Sequence, residues 1–152
     1  MTTTLKANAD ILKTSLNKFY SSFEKIKDVP GLVYAATYEP CPVSLLKAGR
    51  NSLGLDPKAG PLVLLLLYAS WKDSKDDDQV LYETKNNLDA ITQAAKETGQ
   101  GSPYTYMNYA FSGQDPISSY GVEEKKKLIE VSKKYDPDGF FQKAVRGGFK
   151  LY

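Results

Sequence analysis

Histidine is absent from the 152 residues. That absence removes Ser-His-Asp and Cys-His nucleophile pairs, histidine general bases and almost all zinc or non-haem iron sites from this stretch of chain. Proton chemistry here falls to Tyr, Asp, Glu, Lys, the cysteine or bound water. There is one cysteine, Cys41, so no disulfide can form within the chain. The longest apolar run, Leu62 to Ser70, is far shorter than the ~20 residues a membrane-crossing helix needs. No basic n-region followed by an apolar core opens the sequence, which predicts no signal peptide and a cytoplasmic location. The formal net charge is only +2. The lysines at 125–127 and 133–134 read as one solvated helix face, so neither nucleic acid nor membrane is expected as a partner.

Tyrosine is abundant, with 11 in the chain, and hydrophobic residues make up 41%. This length and apolar content suit a single domain over residues 1–152. Leu5, Leu12, Leu16, Phe19, Phe23 and Ile26 fall on one helical face, and Thr2 to Thr4 are placed to cap the start of that helix. Pro30-Gly31 ends it. Leu32 to Tyr38 reads as a strand, closed by Pro40-Cys41-Pro42, with a short helix over 43–49 and a Gly/Pro/Asn-rich loop over 50–61. Leu62 to Trp71 is apolar on both sides at its start, the mark of a central strand. Acidic residues over 73–78 lead into a helix over 78–98, where they favour the N-terminal end of the macrodipole. The run lacks the Gly and the closing Glu that a calcium loop needs. Pro103 to Ala110 reads as a third strand and Val122 to Tyr135 as a third long helix. The order predicts an α+β fold, an antiparallel or mixed sheet covered by helices on one face.

Tyr104, Tyr106 and Asn108 would share one side of an extended strand, with Tyr109 on the other unless the strand ends or bulges there. Such aromatic strands usually serve packing, yet the phenols also supply hydroxyls for hydrogen bonding. Glu39, at a strand end, is the best-placed carboxylate for acid or base work. Cys41 reads as an inert thiol, with no histidine to activate it. Gly99-Gln100-Gly101 and Gly147-Gly148 do not follow a strand and open a helix in dinucleotide-binding order.

Several stretches occur together: Pro30-Gly31-Leu32, Asn51-Ser52-Leu53-Gly54-Leu55, Gly60-Pro61-Leu62-Val63, Ser70-Trp71, Tyr106-Met107-Asn108-Tyr109-Ala110, Gln114-Asp115-Pro116 with Ser119-Tyr120-Gly121, and Lys134-Tyr135-Asp136-Pro137-Asp138-Gly139-Phe140-Phe141-Gln142-Lys143 with Gly147-Gly148-Phe149. In this order they resemble the C-terminal, substrate-domain part of FAD-linked oxidoreductases of the berberine-bridge-enzyme-like group, in the vanillyl-alcohol-oxidase superfamily. The resemblance implies half of a flavoenzyme substrate domain. In that family an N-terminal domain grips most of the flavin, through a phosphate-binding loop and a covalent His or Cys link, and no stretch here matches it. The expectation is therefore a chain without a cofactor of its own. The family's Tyr-x-Asn-Tyr motif faces flavin and substrate, which casts Tyr106 and Tyr109 as proton donors or acceptors, Asn108 as a carbonyl-orienting amide and Glu39 as an auxiliary acid or base. On this basis the chain is expected to be a cofactor-free enzyme that cyclises, isomerises or dehydrates an apolar, polyene or polyketide-like intermediate. The alternative is a non-catalytic binder of a small apolar ligand, or the complementing half of an FAD-linked oxidoreductase. Half a sheet leaves an edge and a face without neighbours, which predicts a homodimer formed through the sheet.

Overall fold

The computed structural model describes residues 1–47 and 51–152. Threonines 2 to 4 do not cap a helix. They belong to a first strand, β1 (Thr2–Lys6), followed by α1 (Ala9–Ile26). The β-branched threonines suit extended backbone. The helix is instead capped by Asn8, whose side chain accepts from Asp10 N and Ile11 N at 3.0 and 3.2 Å. Next come β2 (Val33–Cys41), α2 (Val43–Lys47), β3 (Leu62–Ser70), α3 (Asp77–Glu97), a two-residue β4 (Gly101–Ser102), α4 (Val122–Tyr135) and the short α5 (Phe140–Lys143). The expected short helix over 43–49 is seen to Lys47, and its last two positions lie outside the described residues, as does the first of the loop expected over 50–61.

The sheet is antiparallel throughout, in the order β2-β3-β1-β4. β3 is central, as its two-sided apolar sequence requires, and the fold is α+β. Helices α1 and α3 lie together on one face. There Leu5, Leu65 and Leu67 from the strands meet Ile11, Leu88, Ile91 and Ala95 from the helices. Within α1 the buried positions include Ser15 and Ser22, while Leu16 is 39% exposed. The serines meet tyrosines of β2: Ser15 Oγ lies 2.9 Å from Tyr38 OH and Ser22 Oγ 3.3 Å from Tyr34 OH.

The opposite face is covered only in part. Residues that follow β4 cross it, and Tyr104 and Tyr120 pack with Cys41, Leu46, Leu62 and Leu64. The strand expected over 103–110 is not formed. The chain turns instead through a 3₁₀ segment, Met107–Tyr109, after Pro103. Only Gly101 and Ser102 pair with β1. The rest of that sheet edge is closed by a side chain: Thr2 N donates to Gln114 Oε1 at 3.0 Å, and Gln114 Nε2 donates to Thr2 O at 2.8 Å. One amide side chain thus replaces the next strand.

Candidate functional site

Glu39, Pro40 and Cys41 end β2. In register with β3, Glu39 stands opposite Leu64 and Cys41 opposite Leu62. Alternation along the strand puts Glu39 and Cys41 on the face that α1 and α3 leave free. The 3₁₀ turn brings the tyrosine segment over them. Tyr104 is 4% exposed and stacks on Tyr120, ring centroids 5.8 Å apart. Thr105 N donates to Ser119 Oγ at 2.9 Å, which ties the segment to the turn at Ser118–Tyr120.

Because the segment turns instead of running straight, Tyr106 and Tyr109 are neighbours. Their rings meet edge to face at 4.9 Å. Asn108 Nδ2 donates to Tyr106 OH at 2.9 Å, and Tyr109 OH donates to Glu39 Oε2 at 2.6 Å. The fold therefore brings together all four residues singled out from the sequence, although Glu39 and Tyr109 are separated by 70 in the numbering. The sharing of one strand face by Tyr104, Tyr106 and Asn108 is corrected. Tyr104 is buried beneath, and Asn108 lies at the surface beside Tyr106.

Beside this cluster lies a cavity of about 310 Å³, walled among others by Glu39, Cys41, Leu53, Leu64, Tyr104 and Tyr106. Asn108 and Tyr109 are not part of its wall. One side is the loop around Leu53 and Leu55. Asn51 Oδ1 accepts from Leu53 N at 3.0 Å, and Gly54, at φ +69°, packs against the Tyr120 carbonyl so closely that any Cβ would collide. Two stretches that carried the family resemblance, 51–55 and 119–121, thus meet here. Tyr104 and the cavity leucines carry no chemical signature in sequence. Leu53 and Leu55 lie in a resembling stretch, Tyr104 reads only as part of an aromatic strand, and nothing marks Leu45, Leu46 or Leu64.

Tyr109 has its phenol pushed above the ordinary tyrosine range, first by its hydrogen bond to the Glu39 carboxylate, then by partial burial and the carboxylate's charge. It is held as a proton donor to Glu39. Tyr104 is raised strongly, mainly by burial, and burial also raises Tyr120. Burial and the nearby Glu39 charge push the Cys41 thiol up, so it stays protonated and weakly nucleophilic. Among the described residues no group of three or more His, Cys, Asp or Glu could hold a metal ion. The arrangement suits proton transfer next to an apolar cavity.

No protein-family model matches the chain, and no solved structure matches it. Relatives that align with 99% of it include the FAD-dependent monooxygenase FUP4 of Fusarium proliferatum, 34% identical, and the FAD-dependent monooxygenase tpcD of Cochliobolus heterostrophus, 36% identical. The chain spans 31% of the length of each. Oligopeptidase PhomG' of Diaporthe leptostromiformis is 36% identical over 97% of the chain, which covers 12% of that protein. The chain is thus related, over nearly its whole length, to FAD-dependent monooxygenases, of which it spans under a third.

A flavin dinucleotide does not fit the cavity. Its diphosphate requires converging backbone N–H groups or basic side chains. The described wall carries the Glu39 carboxylate and no Lys or Arg. At about 310 Å³ the space is at the small end of ligand sites. Its apolar lining suits a compact, uncharged molecule.

Proposed function

We propose that the chain is the substrate-side part of an FAD-linked oxidoreductase of the berberine-bridge-enzyme-like type, folded as one domain. It binds an apolar, polyene or polyketide-like intermediate in the cavity and manages protons there through Glu39 and the Tyr106-Asn108-Tyr109 turn. The observation that carries this reading is a pairing. The chain aligns end to end with under a third of FAD-dependent monooxygenases, and its cavity suits a small apolar molecule but not the dinucleotide. Flavin binding then belongs to polypeptide outside these residues. The test is an absorption spectrum of the purified chain, alone and after addition of FAD, beside a titration with 2-naphthol as an apolar probe. The expected result is no retained flavin, no FAD binding, and saturable 2-naphthol binding weakened by Leu53→Trp. A stoichiometric flavin band in the isolated chain would overturn the division of labour.

A second reading has support of its own. A proton acceptor and a hydroxyl donor border the same cavity, and cyclisation, isomerisation or dehydration needs little beyond such groups, positioning and exclusion of water. On this reading the chain turns over its substrate without a cofactor.

The sheet face beyond the cavity supports self-association. Val33 is 54% exposed and Tyr68 49%, both on the face away from α1 and α3. β2 pairs with β3 alone among the described strands. A homodimer through this part of the sheet would cover both features.

A further inference from the structure

The geometry points to Glu39 and Tyr106 as the pair that meets the ligand, with Tyr109 and Asn108 as positioning residues behind them, and to a neutral molecule with an enolisable carbonyl as the ligand. This assignment rests on the cavity reading above.

Glu39 and Tyr106 both line the cavity, whereas Tyr109 and Asn108 do not. Glu39 accepts through Oε2 from Tyr109, and among the described residues nothing bonds its Oε1. One carboxylate oxygen is therefore tied down and the other is open. Tyr106 OH accepts from the Asn108 amide, which leaves its own O–H to donate. Each positioning residue occupies one lone pair of its partner and sets that partner's orientation, and the edge-to-face contact of Tyr106 and Tyr109 joins the two halves.

An acceptor and a donor on one apolar wall match a carbonyl next to an acidic C–H. Glu39 Oε1 takes the proton from the α-carbon, and the C–H electron pair becomes the enolate C=C as the carbonyl π pair moves to oxygen. The Tyr106 O–H hydrogen-bonds that oxygen. Return of the proton from Glu39 regenerates the carbonyl, so no oxidant or reductant is needed. The described wall is mostly leucine beside the Glu39 carboxylate and the phenols, which suits a neutral, apolar ligand.

The experiment uses 2-tetralone, a neutral apolar ketone, in heavy water. Proton NMR follows loss of its α-protons, and cavity resonances report its binding to every variant. The full chain is expected to exchange these protons faster than buffer does. Glu39→Gln should lower the protein-dependent rate by about 100-fold or more, and Tyr106→Phe by about 100-fold. Tyr109→Phe should retain exchange to within roughly tenfold. The loss should fall on the exchange rate with 2-tetralone affinity unchanged, because Tyr109 orients Glu39 without lining the cavity. Tyr82→Phe, on the outer surface of α3, should change nothing. Exchange that survives Glu39→Gln would overturn the assignment, as would Tyr109→Phe removing exchange as completely as Glu39→Gln. If 2-tetralone shifts cavity resonances without exchange, the assignment fails while the cavity reading stands. If it does not bind at all, both fall.

Discussion

Tyr104 and Tyr109 carry the same phenol and meet different surroundings. Tyr104 is raised by burial beneath the turn, Tyr109 chiefly by donating to a carboxylate at the surface. Both are neutral at physiological pH, which separates the role of hydrogen-bond donor from that of base. The buried phenols also set an alkaline limit. Tyr104, Tyr120 and Tyr38 are all raised by burial. A group whose folded pKa lies above its unfolded value of 10.0 gives stability that is intact below that pH and lost as pH climbs toward the folded value. The expected outcome is a flat unfolding midpoint to about pH 9, then a fall. Tyr104 contributes at most about 1.4 kcal/mol per pH unit. Urea titrations across this range, with phenolate absorbance as a second signal, check it. Tyr104→Phe should flatten the alkaline fall.

The loop after α2 and the turn before α4 behave as one element, though more than 60 residues of chain separate them. Their joint is Gly54, whose positive φ and contact with the Tyr120 carbonyl leave no space for a side chain. Gly54→Ala is expected to cost roughly 2–4 kcal/mol, from backbone strain and a forced shift of the turn. It should also weaken 2-naphthol binding, since Leu53 and Leu55 wall the cavity. Urea unfolding and the binding titration measure the two effects. In α1 the apolar spacing identified the helix and most of its inner face, with Leu12 and Phe19 packed on the core and Ile26 buried, but it included the exposed Leu16 and missed two buried serines. Ser15 and Ser22 lie inward because the strand beneath presents hydroxyls of Tyr38 and Tyr34, and a buried hydroxyl needs a partner more than another methyl group. At the start of the chain the expected helix gave way to β1, since a strand there pairs with β3 and fills the sheet's centre.

For the whole molecule, one sheet face is sealed by α1 and α3 and the other only around the cavity. The C-terminal elements stay loosely covered: Val122, Tyr135, Phe140 and Phe141 are all exposed, and α4 has no buried residue. Apolar surface on this scale favours association. Light scattering at micromolar concentration should give the mass of a dimer, and Val33→Lys with Tyr68→Lys should return it to a monomer. A monomeric mass for the unmodified chain would remove the dimer proposal. No described helix is long and apolar enough to cross a membrane.

The sequence alone determined the element types with strong periodicity, the central place of the Leu62–Ser70 strand and the α+β class, because side-chain period is a local property; Tyr106, Asn108 and Tyr109 are singled out through the family resemblance. It also marked 51–55 and 119–121 as related stretches without showing that they touch. Tertiary structure decided what required distant partners. Three tyrosines and Thr105 give residues 103–110 strand propensity, yet β1 pairs only with Gly101 and Ser102 before them, and Gln114 closes the remaining edge. The segment therefore turns, and that turn sets Tyr109 against Glu39 and gives Tyr106 to the cavity. Spacing in the chain could not encode which of these residues wall the cavity, since that depends on where the segment turns.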